Sequence, residues 1–474
     1  MPSREDTTSR ACTSLVVSLR IDRAKARESG SSADGRALRG RSVPELARGY
    51  SFPSVLIGRK PVSPAALLTD VHCGVGFAKK QSYASRASTK IFVSFCLDRA
   101  KARERASFAC EWHCGTQLYC KDSIMHTKLI QIDSANIDRN AIKEAADLIA
   151  AGELVAFPTE TVYGLGADAL SPEASKKIYA AKGRPSDNPL IVHISKFEDL
   201  VAIAREVPPQ AKKLADAFWP GPLTMIVWKN EKVPCETTGG MDTVAVRMPN
   251  HPVALRLIEE SGCLIAAPSA NTSGKPSPTE ASHVALDMDG RIPMILDGGP
   301  VGIGIESTII DLSEKTPMIL RPGYITKEML EETLGGEVCI DPGIIAADSM
   351  KKPKAPGMKY KHYAPKADLV LVEGKTDRVV AEINRLAAKK QEAGLRVGVI
   401  ATDETRDRYQ ADLVFSIGAR EDEDAIARHL YKLLREFDDQ NVDAIYSESF
   451  ATPRIGQAIM NRLLKAAGHQ VIQI

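Results

Sequence analysis

From Leu129 to the C-terminus, apolar residues fall in short strand-length runs that alternate with amphipathic, helix-length stretches, and most runs open into a polar or glycine-rich loop. A chain patterned this way buries its runs by pairing them into a sheet and covering the sheet with the intervening helices, so the fold class is α/β. A helical stretch at 139–151 ends at Gly152, a natural C-cap, and 154–158 reads as a buried strand. Further strands are expected at 189–194, 223–228, 243–248, 264–268, 294–297 and 307–312, and helices at 172–181, 210–218, 252–261, 279–287 and 327–334. Together they describe a domain at 125–336 built on a mixed sheet. Residues 337–366 are rich in Pro, Lys and Gly and read as a linker. Beyond it, strands at 368–373, 396–401, 412–417, 442–446 and 470–474 alternate with helices at 377–393, 422–437 and 454–467. This is the pattern of a small, open parallel sheet at 367–474. No G-x-G-x-x-G follows its first strand, so it carries no dinucleotide fingerprint.

The first 124 residues lack this patterning. They are rich in Ser, Arg and Ala, hold six of the nine cysteines (Cys12, Cys73, Cys96, Cys110, Cys114 and Cys120), and repeat the string DRAKARE at 22–28 and 98–104. The repeat has two readings, a duplicated basic arm or upstream DNA translated by an over-long gene model. The lack of folded-domain coherence favours the second, with Met125 as the start and 1–124 without regular structure. Cys110, His113, Cys114 and Cys120 match no zinc-finger spacing, and metal binding is not expected there.

Net charge is only +2, with hydrophobic residues at 44% and charged residues at 26%, an ordinary globular balance. The N-terminus has no charged-then-apolar leader and the chain has no long apolar run. Export or membrane insertion is therefore not expected, and the cytoplasm is the default compartment.

The densest polar cluster, Pro158 to Gly166, follows the first strand of the main domain. Hydroxyls and glycines there suit the close approach of a small ligand, or an ordinary capped turn. In the loop Lys182-Gly183-Arg184, two cations bracket a glycine; such a pair grips a polyphosphate or sits solvated. His193 lies in the apolar strand that follows, as a core histidine or a functional one. Arg247 interrupts an apolar strand and requires an anionic partner, either an internal carboxylate or a ligand's carboxylate or phosphate. Ser269 to Ser277 form another polar loop after a strand, without P-loop spacing. Glu306, Ser307 and Thr308 precede a strand, and Arg321 stands before Pro322 and Gly323.

The strings FPTETVYGLGA, KGRPSDNPLIVHI, WPGPLT, VAVRMPNHP, APSAN, ESTIID, LRPG and APGMKYKHYAP occur in this order. In them the chain resembles the two-domain threonylcarbamoyl-AMP synthases of the YrdC-like superfamily, continuously over 125–474. The resemblance implies a YrdC-like catalytic domain followed by a Rossmann-like domain. It also implies a nucleotidyltransferase that joins L-threonine, bicarbonate and ATP into L-threonylcarbamoyladenylate, the first step of N6-threonylcarbamoyladenosine formation in tRNA. Carried over by motif, Thr161, His193, Arg247 and Ser307 would hold threonine. Lys182, Arg184, Asn188, Thr243, Asn271, Ser277 and Arg321 would hold ATP, Ser269 would lie where the two ligands meet, and Tyr363 would fold over the nucleotide. No residue is assigned as general base, His193 being a candidate only. Mg²⁺ is expected with ATP, without a dedicated protein cage. The implied partner is the downstream tRNA threonylcarbamoyl transferase complex. Double-stranded RNA or tRNA binding is at most weak, since no basic stripe with interleaved aromatics occurs. A hydrogenase-maturation carbamoyltransferase would show paired C-x-x-C motifs, which are missing here. An RNA-binding protein without catalysis would not require Lys182, Arg184 and Arg321.

Overall fold

The computed structural model describes residues 125–344, 362–450 and 454–474, together with the backbone of three strands nearer the N-terminus. The chain divides into two units, Met1–Ile124 and Met125–Ile474. In the first, β1 (Val17–Ile21), β2 (Lys90–Phe95) and β3 (Phe108–Glu111) pair antiparallel in that order. The expectation of no regular structure in 1–124 is corrected at these segments, where β-branched and aromatic residues cluster, as in IFVSF. The side chains of Cys110, His113, Cys114 and Cys120 lie outside the described residues.

The second unit holds the expected α/β architecture in two sheets. The larger is mixed and is assembled from β4 (Lys128–Gln131), β5 (Val155–Phe157), β6 (Gly164–Asp168), β7 (Ile191–His193), β8 (Leu223–Trp228), β9 (Thr243–Arg247), β10 (Ile265–Ala266), β11 (Met294–Asp297), β12 (Thr308–Asp311), β13 (Met318–Arg321) and β14 (Cys339–Ile340). Their spatial order is β14-β13-β12-β8-β9-β7-β10-β6-β5-β11-β4. The smaller sheet is parallel throughout, with β15 (Asp368–Glu373), β16 (Val397–Ala401), β17 (Leu413–Ser416), β18 (Ala444–Glu448) and β19 (Val471–Gln473) in the order β17-β16-β18-β15-β19.

Three differences from the sequence reading have physical causes. Gly164 to Gly166, read as the end of the polar cluster, instead open β6, because they pair back antiparallel on Val155–Phe157 and leave only the segment before Gly164 as loop. The short β4 and β14 escaped notice because a strand of two to four residues has too little period to see. Residues 339–340, assigned to the linker, instead extend the sheet alongside β13.

Register positions the polar groups. One row of paired residues crosses the sheet from Asp168 through Ile265, His193, Arg247, Thr224 and Ile309 to Arg321. Directly paired residues share a face, so the histidine and both arginines are brought to one side by backbone hydrogen bonding alone. The helices that cover the sheet are locally encoded. Helix Pro172–Lys182 begins with a Ser171 cap and Pro at N1, and stops at Gly183, whose φ of 61° is left-handed. That stop turns Lys182 and Arg184 together off the helix end.

The second domain packs against the first through a shared apolar cluster. Val162 and Ile305 of the mixed-sheet domain meet Tyr363, Ile426, Leu430, Tyr431 and Leu463. Helix Glu423–Asp439 approaches so closely at Gly304 that a Cβ there would lie 2.4 Å from the Arg428 Cα and 2.5 Å from the Ala427 carbonyl oxygen, and Gly304 itself has a φ of +88°. No helix among the described residues is long and apolar enough to cross a membrane. Gly304→Val is expected to cost at least about 1–3 kcal/mol from backbone strain alone. It should lower the thermal midpoint of the full chain in calorimetry; an unchanged midpoint would show that this helix contact is dispensable.

Candidate active site

A cavity lies in the mixed-sheet domain, lined from the strand ends and loops just described and closed by His362 and Tyr363 of the linker. Of the residues singled out in the sequence, it collects Thr161, His193, Arg247, Ser269, Ser307, Lys182, Arg184, Asn271, Arg321 and Tyr363. Asn188, Thr243 and Ser277 are not in its wall. Asn188 is buried behind Arg184, which donates to its carbonyl at 3.3 Å. Thr243 begins β9 on the same face as Arg247, four residues along. The Ser277 hydroxyl points to the Glu306 carboxylate at 2.6 Å.

At one end, Arg247 is almost fully buried. It donates to the Thr161 hydroxyl at 3.0 Å and to the Gly221 carbonyl at 3.4 Å. Its Nη2 lies 2.8 Å from Glu160, so an internal carboxylate does neutralise it. The pair is out of hydrogen-bond alignment, however, and Nη2 and both Glu160 oxygens lack hydrogen-bond partners among the described residues. Buried donors of this kind are costly unless satisfied, and a ligand carboxylate would satisfy this one. Beside it, His193 is 3% exposed, turns Nδ1 towards the Ile191 carbonyl at 3.2 Å and packs edge-on against Phe157. Burial, reinforced by Arg247, pushes its pKa down to about 3. His193 is therefore neutral at physiological pH and forms part of the wall as an uncharged imidazole.

At the other end, Lys182 donates to the Ser269 carbonyl and, at 2.5 Å, to the Asn271 carbonyl, so the helix end is tied to the loop after β10. Burial, together with Arg184, holds its pKa well below the ordinary lysine value. Arg184 donates to the Pro189 carbonyl at 3.0 Å, and burial brings its pKa down to about 10. Arg321 donates to the Ser307 carbonyl at 3.0 Å and hydroxyl at 3.1 Å, and the same hydroxyl meets Thr224 at 2.7 Å. Ser269 donates to Asn271 at 2.6 Å. Tyr363 closes the cavity with a φ of 65°, its ring 5.1 Å from that of Tyr431, while Ala364 donates to the Gly274 carbonyl at 2.9 Å. The wall contains one carboxylate, Glu306, which accepts from Ser277, Tyr431 and Arg462. Among the described residues no cluster of three His, Cys, Asp or Glu could cage a metal ion.

Thr224, Tyr431 and Arg462 were not read from the sequence, and Glu160 only as a member of the polar cluster 158–166. Arg462 left a signal: it lies on the same helical face as the apolar residues Ala458, Ile459, Leu463 and Ala466, where a charge requires a partner.

A cavity with a buried arginine at one end, and two buried cations beside the half-buried Arg184 at the other, can accommodate a two-part anion, small at one end and phosphate-rich at the other. The buried imidazoles also set its acid stability. His193 and His362 titrate near pH 3 and His283 near pH 4, burial being the first cause of each shift. Each gains its proton near pH 6.5 when unfolded, so stability is fully present above that pH and falls as pH drops towards 4. The slope is about 1.4 kcal/mol per pH unit for each histidine. Urea midpoints measured from pH 7 to 4 should fall accordingly, and His193→Asn should flatten that slope.

Comparisons with known proteins bear on the same residues. The family model described as "Telomere recombination" matches residues 147–323, and the one described as "Threonylcarbamoyl-AMP synthase, C-terminal domain" matches 325–468. The threonylcarbamoyl-AMP synthase of Pyrococcus abyssi is 52% identical over 338 residues, which is 71% of this chain and 97% of the relative. That of Bacillus subtilis is 52% identical over 342 residues, 72% of this chain and 97% of the relative. The crystal structure of P. abyssi Sua5 complexed with L-threonine superposes with a TM-score of 0.70 at 51% identity, over 73% of this chain and all of that one.

Proposed function

The chain belongs to the threonylcarbamoyl-AMP synthase family, and from that membership we propose that its cavity converts L-threonine, bicarbonate and ATP into L-threonylcarbamoyladenylate and pyrophosphate. The observation that carries the reading is Arg247 at one end and the Lys182–Arg184–Arg321 cluster at the other end of one cavity wall. Threonine's carboxylate takes the Arg247 end, beside Thr161, Ser307 and the neutral His193. The triphosphate takes the cationic end, with Ser269 and Asn271 between. Tyr363 covers the nucleotide, and Asn188, Thr243 and Ser277 act from behind the wall or at its margin.

The threonine amine adds to carbon dioxide derived from bicarbonate and loses a proton to give the carbamate. A carbamate oxygen then attacks the α-phosphorus, and the bond to the β-phosphate oxygen breaks to release pyrophosphate. Such transfers depend on positioning and on stabilising charge more than on covalent help from the protein. Fixed cations in a cavity shielded from water supply that stabilisation without reorganising. His193, kept neutral, orients rather than titrates. The one carboxylate of the wall, Glu306, is already engaged, so a Mg²⁺ arriving with ATP would be held by the nucleotide rather than by a protein cage and would supply neutralisation of phosphate charge. The product then serves the tRNA threonylcarbamoyl transferase step.

Pyrophosphate release from ATP should require both threonine and bicarbonate. Lys182→Ala with Arg184→Ala should reduce it by at least about 100-fold, an expectation from the loss of two transition-state charge contacts. Turnover independent of threonine would direct attention to carbamoyl transfer instead. Chelating the divalent ion should abolish turnover while leaving threonine binding detectable by calorimetry.

A further inference from the structure

β12 and β13 pair up to Ile309 and Arg321, with a shift in register between Ile309 and Ile310. Past that pair, Glu306 and Pro322 lie beyond the ends of both strands, so the ladder no longer fixes their separation. The residues adjacent to them, Ser307 and Arg321, face the cavity. The guanidinium of Arg462, from helix Gly456–Ala466 of the C-terminal domain, bridges this opening. Its Nη2 donates to the Glu306 carbonyl at 3.1 Å, its Nη1 to the Pro322 carbonyl, and its Nε to the Glu306 carboxylate at 3.0 Å. Arg462 is 0% exposed, and Tyr431 braces the same carboxylate at 2.8 Å. On the far side of the gap Gly323 is pressed so close that a Cβ there would lie 2.4 Å from the Thr308 nitrogen.

We infer that Arg462 is a positioning residue for the reaction: by clamping the carbonyls of Glu306 and Pro322 it holds the two segments beyond the strand ends together, which supports the direct Arg321–Ser307 hydrogen bonds and so the grip on the nucleotide. This rests on the function proposed above. A planar fork with several fixed donors can span two carbonyls and a carboxylate at once, which an ammonium point charge cannot. A buried ion pair contributes little net stability compared with an apolar pair of the same volume, so geometry is the larger return here. The C-terminal domain thereby completes the catalytic wall without touching substrate.

The test uses the full chain and steady-state pyrophosphate release. Arg462→Lys keeps the charge and loses the fork. Arg462→Met with Glu306→Gln removes both buried charges together, so that neither is left unpaired if the lysine variant folds poorly. Lys432→Ala, which breaks only the more exposed pair with Glu280 at the same domain seam, is the control. Positioning predicts that KM for ATP rises about tenfold or more in both Arg462 variants, with a smaller fall in kcat per folded molecule, and stays unchanged in the control. A merely structural role predicts kcat falling with the folded fraction while KM stays at the wild-type value, and that result overturns the inference. A wild-type chain without threonine-dependent turnover defeats the function and this inference together. An active wild type with unchanged KM in both variants defeats the inference alone.

Discussion

The structure depends on burying positive charge without an equal number of buried carboxylates. Lys182, Arg184, Arg247 and Arg321 all line one cavity, and the wall itself supplies a single acid, Glu306. Burying three of these cations, and half-burying Arg184, is expensive, and the protein offsets the cost mainly with backbone carbonyls. The carbonyls of Asn271, Pro189, Gly221 and Ser307 each accept from one of these cations. Carbonyl dipoles lower the penalty without cancelling the charge. The cavity therefore keeps a positive field in low dielectric, where a polyanion is worth far more than in water. The loops before β7, β8 and β12 and the loop after β10 present those carbonyls, and the helix stop at Gly183 delivers Lys182 and Arg184.

The second domain belongs to the same electrostatic arrangement. Arg462 and Tyr431 enter the seam from two different helices and converge on Glu306, while Arg435 reaches the Pro276 carbonyl at 2.5 Å and Asp287 at 3.0 Å. Each contact fixes a loop that carries a cavity residue. What looks in sequence like an appended parallel-sheet module serves as the rear support of the site.

The legible parts of the sequence were those with local causes. The strand 223–228 and the helix following Ser171 announce themselves by period and by caps, and the order of polar loops pointed to the cavity. Lys182 and Arg184 could be suspected because a glycine stands between them. Partnership across the fold was not legible. Nothing near Arg247 in sequence says that Glu160, in a loop far upstream, lies 2.8 Å away, because the tertiary fold and not proximity in sequence brings them together. Asn188, Thr243 and Ser277 illustrate the converse. Their motifs are adjacent to cavity residues in sequence, but their side chains are not part of its wall. In the N-terminal region, short strands rich in β-branched and aromatic residues were obscured by a composition without longer period.

The single row joining His193, Arg247, Thr224 and Arg321 makes the sheet a fixed gauge. Neighbouring strands stand roughly 4.8 Å apart whatever side chains they carry, so the spacing of these groups is written in the hydrogen-bond ladder. Exchanging a residue in the row alters what is held at a given notch and leaves the notches where they were. A related enzyme adapted to a longer or shorter acceptor would have to re-register a whole strand, turning its buried face outward. Such an architecture resists drift in substrate length more strongly than drift in substrate chemistry.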